Sequence, residues 1–172
     1  MSDGILVGID AGTSVIKSVA FTAEGEQIAS AAIPNSYETL VGGGAEQDMA
    51  RTWRDAAATL KRLAEKIPNL ASRLIAISVT GQGDGMWLID KAGEPVAPAW
   101  LWLDARAATI AEDFTGHPGY PAHYERTGTG VNACQMSTQL VWMSRNRPEV
   151  LARAATSFHC KYWLDYKLTC EL

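Results

Sequence analysis

Asp10 ends the apolar run ILVGID, and behind it come the small residues Gly12, Thr13 and Ser14 and then a second β-branched run that carries Lys17. Two strands joined by such a turn bring a carboxylate, hydroxyls, unencumbered backbone amides and an ammonium to one hairpin tip. That inventory suits a metal-bound polyphosphate. Gly12 lets backbone approach a ligand with no Cβ between them, and the amides and hydroxyls of Thr13 and Ser14 can donate to phosphate oxygens. Asp10 would face Mg²⁺, because a hard cation takes oxygen ligands and keeps part of its water shell. An ordinary hairpin with an Asx-type turn explains the same four residues without any ligand. No GxxxxGK[ST] phosphate loop occurs anywhere in the chain.

The elements that would position this tip follow from patterning. After the hairpin over residues 5 to 23, EQIASAAI (26 to 33) reads as a third strand, which makes an antiparallel meander. Residues 35 to 45, with Gly42, Gly43 and Gly44, read as loop. Asp48 is the expected N-cap of a helix whose stripe is Met49, Trp53, Ala57, Leu60, Ala64 and Ile67, stopped by Pro68. RLIAISVTGQG (73 to 83) reads as a strand buried on both faces, and the Gly-Gln-Gly-Asp-Gly run that ends it falls where α/β sheets bind ligands. A short strand at 86 to 90, a helix over 105 to 114 capped by Asp104, a loop over 115 to 135 and a helix from Ser137 to Asn146 follow. Pro148 starts a short helix, and TSFH leads to a last helix near 161 to 169.

Composition narrows the function classes. At 172 residues with 47% hydrophobic content the chain can fill the core of one domain. A net charge of −4 with interspersed signs argues against nucleic acid and membrane surfaces. No apolar stretch exceeds strand length, and MSDGILVGID lacks a basic leader, so a cytoplasmic location is expected. Cys134, Cys160 and Cys170 form no CxxC pair, and their odd number suits a reducing compartment; His117, His123 and His159 lack metal-ligand spacing. Asp84 between glycines and Asp104 are carboxylates that fit either turns and caps or a ligand, with Arg106 as the local partner of Asp104. Trp53, Trp87 and Trp142 read as core, while Trp100 and Trp102 can form an apolar wall for carbon faces.

Five blocks together, GIDAGTSVIK, AEQDMARTW, ISVTGQGDG, PAWLWLDAR and FHCKYWLDYKLT, stand in the order and spacing of the FGGY carbohydrate kinases, and nearly the whole chain resembles their N-terminal portion. TGQGDGMWLID beside DAGTSVIKSVAF is most similar in form to the erythritol kinase branch. The resemblance implies an α/β actin-like (ribonuclease H-like) ATPase domain, a mixed sheet with flanking helices, of which residues 1–172 are the N-terminal part. It implies ATP-dependent phosphorylation of a hydroxyl on a small polyol or sugar, with ATP and Mg²⁺ as cofactors. By the same resemblance Asp10 holds the metal, while Gly12, Thr13, Ser14 and Lys17 serve the phosphates. Gln82, Gly83, Asp84 and, more weakly, Asp104 serve the substrate. Asp84 can accept hydrogen bonds from two neighbouring hydroxyls, and Gly83 leaves space for a neutral ligand. Asn132, Cys134 and Gln135 correspond to a loop that reaches the substrate in glycerol kinases, with Cys134 where a tyrosine is expected.

The family's catalytic base is expected beyond residue 172, so the isolated chain is expected to lack turnover. It is also expected to expose apolar surface near residues 150 to 172 and to form homo-oligomers through it. A noncatalytic sugar-binding or regulatory module, and an ATP-driven protein of the actin or Hsp70 kind, are the competing readings.

Overall fold

Seven residues of alternating burial, Ile5–Ala11 (β1), begin the described part of the chain, which in this computed structural model comprises residues 3–171. The described residues form two compact units, and each is built around its own sheet.

The first unit holds residues 3–37, 48–83 and 160–171. In it β1, Val15–Thr22 (β2) and Gln27–Pro34 (β3) form the expected antiparallel meander. The order is β3-β2-β1-β6, with Leu74–Gly81 (β6) running parallel to β1. Within the hairpin, Asp10 lies directly opposite Lys17. Ile5 and Val7 project from β1 into a core with Ala20, Ala31, Leu63, Ile67 and Leu70. Odd-numbered β1 residues therefore face Met49–Lys66 (α1) and even-numbered ones, Asp10 included, face away.

Asp48 caps α1 as expected, its Oδ1 accepting from Arg51 N at 2.9 Å. The buried stripe of α1 is Met49, Thr52, Ala56, Thr59 and Leu63, rotated from the expected one; Trp53 is only half-buried. The reason is polar: Thr59 Oγ1 and Ser18 Oγ on β2 meet at 2.6 Å, so two hydroxyls satisfy each other inside the core, where apolar periodicity does not look for them. Short α2 (Leu70–Arg73) leads into β6. β6 is an edge strand and mostly exposed, with Ile75 59% accessible, contrary to the expectation of burial on both faces. Its apolar run matches a central strand, but among the described residues only β1 pairs with it.

The second unit holds Glu38–Gln47 and Asp84–His159. Its sheet has the order β4-β5-β8-β7-β9, from Glu38–Leu40 (β4), Gly44–Gln47 (β5), Gly85–Ile89 (β7), Ala99–Leu101 (β8) and Thr156–Phe158 (β9). The glycine-rich segment expected as loop is thus a hairpin, because Gly42 and Gly43 take positive φ and turn β4 onto β5. The helix expected over 105 to 114 runs from Ala108 to Thr115 (α3), with Ala107 rather than Asp104 at its N-cap. The stretch expected as loop contains Tyr120–Thr127 (α4), which buries no residue. Met136–Asn146 (α5) and Pro148–Leu151 (α6) match expectation, as does Cys160–Thr169 (α7) in the first unit. Met86, Leu88, Trp100 and Met143 make the second core. Trp100 is fully buried and Trp142 half-buried against it, edge-on at 5.1 Å, so Trp100 is core rather than a wall for ligand carbons. No helix among the described residues is long and apolar enough to cross a membrane. Exposed apolar side chains are not confined to residues 150 to 172; Tyr162 is half-exposed there, while Ile75, Ile77 and Leu6 are exposed on the first sheet.

Candidate functional site

In the first unit, β1 and β6 are adjacent parallel strands, and their C-terminal ends carry two of the predicted motifs. Asp10 pairs with Thr80 and Ala11 with Gly81, so the Asp-Ala-Gly-Thr turn and the Gly-Gln-Gly turn leave the sheet side by side. Contact is close: Gln82 N donates to Ala11 O at 3.2 Å. A Cβ on Gly81 would lie 2.9 Å from Ala11 O and 3.4 Å from Cys160 Sγ, so only glycine permits this approach. Gln82 is buried and Gly83 exposed.

Asp10 and Lys17 are both exposed, on the sheet face away from α1. Although they are cross-strand neighbours, neither side chain makes a hydrogen bond or ion pair with any described residue. A carboxylate and an ammonium left open at one hairpin end are available to ligands of opposite sign. Gly12 is tight, since a Cβ there would meet Val15 O at 3.1 Å. Behind the turn stands a residue that sequence reasoning missed. Asn35, the residue that follows β3, donates from Nδ2 to Gly12 O and from its backbone N to Ser14 O, each at 2.9 Å. Its only local signal is an Asx residue after Pro34; the partners lie more than 20 positions upstream.

The carboxylate set fits Mg²⁺–ATP in a restricted sense. Among the described residues no group of three or more acidic, His or Cys side chains could hold a metal. Asp10 stands as a single open carboxylate beside a turn of small residues, which matches Mg²⁺ bound through one carboxylate, waters and phosphate oxygens rather than an all-protein cage.

Cys160 underlies the two turns, its Sγ 3.9 Å from Ala11 O. Burial pushes its thiol up to about 12, with the nearby Asp10 charge adding to the rise and a Gln82 hydrogen bond opposing it. It is a neutral packing group.

The chain enters the second unit at Asp84. Its carboxylate is exposed, and among the described residues its one side-chain partner is Cys134, whose Sγ stands 3.7 Å from Oδ2. The next residue fixes the turn: Gly85 N donates to Cys134 O at 3.1 Å, and at φ +110 a Cβ on Gly85 would sit 2.3 Å from Trp100 O. Burial raises the Cys134 thiol above its ordinary value, and the Asp84 charge and hydrogen bond raise it further. At neutral pH the thiol is therefore a donor to Asp84, not a competing anion.

Asp104 is placed differently from the other substrate candidates. It is 1% exposed, and both oxygens are engaged inside the second unit. Oδ2 accepts from Ala45 N at 2.9 Å and Arg106 Nη2 at 2.6 Å, and Oδ1 accepts from Arg106 N at 3.0 Å. Arg106 also reaches Glu46 Oε1 at 2.9 Å and lies 3.4 Å above the Trp100 ring. Arg106 is thus the local partner expected from sequence, and Asp104 ties β5 to the segment after β8 instead of presenting a carboxylate to a ligand. Gln47 is likewise buried, and Trp102 is about half-exposed.

Comparison with known proteins agrees with this architecture. Residues 5–172 match the model of the FGGY family of carbohydrate kinases, N-terminal domain. The chain is 50% identical over 165 residues to an erythritol kinase of Brucella abortus, covering 96% of this chain and 32% of that protein. It is 33% identical over 170 residues to a xylulose kinase of Streptomyces coelicolor, covering 97% and 34% respectively. Among solved structures, a xylulose kinase from Rhodospirillum rubrum superposes with a TM-score of 0.88 at 25% identity, over 94% of this chain and 33% of that one. A xyloylose kinase from Brucella ovis gives 0.87 at 25% identity, over 94% and 34%. The chain spans about a third of the length of the curated relatives it matches. Its fold is the α/β actin-like one of these kinases, and the chain belongs to the FGGY family of carbohydrate kinases.

Proposed function

We propose that a kinase built on this chain transfers the terminal phosphoryl group of ATP to a hydroxyl of a small polyol, with an erythritol-type tetritol the favoured acceptor. The observation that carries the reading is the junction of two turns at the C-terminal ends of parallel strands β1 and β6, one carrying the exposed Asp10 and the other formed by buried Gln82 and exposed Gly83. The 50% identity to an erythritol kinase supports the choice of acceptor.

Phosphoryl transfer needs alignment and charge neutralisation more than covalent help from protein. Asp10 is the residue that would hold Mg²⁺, whose chemistry when bound is to neutralise charge on the phosphates. Gly12, Thr13 and Ser14 offer amides and hydroxyls to phosphate oxygens, and Lys17 offers a cation on the same sheet face. Gln82, Gly83 and Asp84 serve the polyol. Asp84 accepts from two neighbouring hydroxyls, while Gly83 contributes no side chain that would crowd or charge the site. Asp104 supports the fold of the second unit rather than the substrate. Since the relatives are about three times as long, the remaining catalytic groups, including the base that takes the hydroxyl proton, belong in this proposal to the rest of such a kinase.

The test is phosphate transfer from labelled ATP to erythritol, xylulose and glycerol by the full-length kinase. Erythritol should give the highest kcat/KM. Hydrolysis of ATP without transfer to any of the three would overturn the proposal.

A further inference from the structure

The turn that is proposed to meet phosphate is anchored from behind by a residue outside every motif. Asn35 uses three of its hydrogen-bonding groups there. Its Nδ2 donates to Gly12 O, its backbone N donates to Ser14 O, and its Oδ1 accepts from Ser36 N, all at 2.9 Å. Ser36 Oγ in turn accepts from Arg51 Nη1 at 2.9 Å, and Arg51 lies in the first turn of α1, where its backbone N is the one capped by Asp48. A continuous set of hydrogen bonds thus runs from the helix N-terminus through Ser36 and Asn35 to the carbonyls of Gly12 and Ser14.

Carbonyl oxygens repel phosphate, whereas amides attract it. A three-residue turn of small side chains has many backbone conformations, and glycine widens the choice. Occupying the Gly12 and Ser14 carbonyls on the β3 side keeps those oxygens committed to protein donors and holds the turn in one conformation.

We infer that Asn35 is a positioning residue of the phosphate-binding turn, acting through Gly12 O and Ser14 O without touching the nucleotide. The inference rests on the proposed phosphate role of residues 10–14. It also assigns Ser36 and Arg51 as the links that orient Asn35 from α1.

Asn35→Ala is an informative perturbation, because it removes the Nδ2 bond while leaving the backbone N able to reach Ser14 O. In Asn35→Asp an oxygen of similar shape faces the Gly12 carbonyl in place of the donor. In the full-length kinase, Asn35→Ala should lower kcat about 10- to 100-fold, the range that small misplacement of reacting groups produces. ATP KM should rise while polyol KM stays within about twofold, since the polyol residues are untouched. Asn35→Asp should be at least as impaired. Thermal melting and amide exchange of Thr13 and Ser14 in the 172-residue chain supply the structural readout: local protection should fall with the overall melt nearly unchanged.

Asp10→Asn is assayed in parallel to separate the two layers. If Asp10→Asn loses kcat but Asn35→Ala has wild-type kcat and ATP KM, the positioning role is wrong and the phosphate-turn reading stands. If Asn35→Ala loses activity only in proportion to unfolded protein, with both KM values unchanged, the role is merely structural and the inference fails. If Asp10→Asn keeps wild-type kcat, the phosphate reading falls and the inference about Asn35 falls with it.

Discussion

Removing the Asp104 carboxylate should destabilise the second unit rather than impair polyol recognition selectively. The side chain is buried and supplies the acceptors for two backbone amides, Ala45 N and Arg106 N, in addition to the Arg106 guanidinium. Each buried amide left without an acceptor costs about 1–3 kcal/mol. Arg106 is itself nearly buried, and without Asp104 it retains Glu46 and the Trp100 face. Breaking a buried ion pair by deleting one partner costs about 3–5 kcal/mol, and part of the amide cost is already inside that figure. Asp104→Ala should therefore lose about 3–5 kcal/mol, a large share of the 5–15 kcal/mol typical of folded domains. Asp104→Asn, which keeps the size and one carbonyl acceptor, should lose less. Urea unfolding of the 172-residue chain followed by tryptophan emission measures this, because Trp100 lies under the guanidinium and Trp142 packs on it. A shift of less than about 1 kcal/mol for Asp104→Ala would refute a structural role and return Asp104 to the substrate candidates.

Two further outcomes concern the cysteines. Asp84→Asn removes a charge and an acceptor that raise the Cys134 thiol, so iodoacetamide should modify Cys134 at pH 8 about threefold faster in that variant, with exposed Cys170 as the internal reference; an unchanged rate would dissolve the Asp84–Cys134 pair. Burial pushes the Cys160 thiol up to about 12 in the folded chain, whereas the unfolded thiol loses its proton near the ordinary 9.0. From about pH 9 upward the unfolded state binds fewer protons than the folded one, so stability declines as pH rises. Between pH 9 and 10.5 the chain should lose stability faster than Cys160→Ala by about 1 kcal/mol per pH unit, as single-proton linkage requires; parallel denaturation curves for the two would contradict it.

What the sequence made legible was the part specified by neighbours. The β1–β2 hairpin and the Asp10–Lys17 pairing follow from an apolar run, a β-branched run and the small-residue turn between them, and the cap of α1 follows from Asp48 alone. Illegible features depend on partners far along the chain. Thr59 is buried because Ser18 meets it from 41 residues away, which rotates the helix stripe that apolar spacing suggests. Asp104 reads as a cap or ligand until Ala45 and Glu46, nearly 60 positions upstream, are seen beside it and Arg106. Asn35 has no motif of its own, and its importance lies wholly in two carbonyls that folding brings within reach. β6 shows the opposite failure: its run is apolar enough for a central strand, yet strand content does not say how many neighbours pair with it. α4 was hidden by glycine and proline at its borders and by the lack of any buried face to give it a period.

The central claim is a division of labour between Asp10, serving phosphate, and Asp84, serving the polyol. Its most direct test is a pair of variants in the full-length kinase, with kcat measured at saturating substrates and erythritol binding measured by calorimetry. Asp10→Asn should depress kcat by orders of magnitude while erythritol affinity stays near wild type, because the lost interaction strengthens as charge develops in transfer. Asp84→Ala should weaken erythritol binding by about 2–4 kcal/mol, taking roughly 1.5–3 kcal/mol for each charge-assisted bond less incomplete additivity, and should leave ATP binding intact. Normal erythritol binding by Asp84→Ala, or wild-type kcat for Asp10→Asn at saturating Mg²⁺, would contradict the assignment.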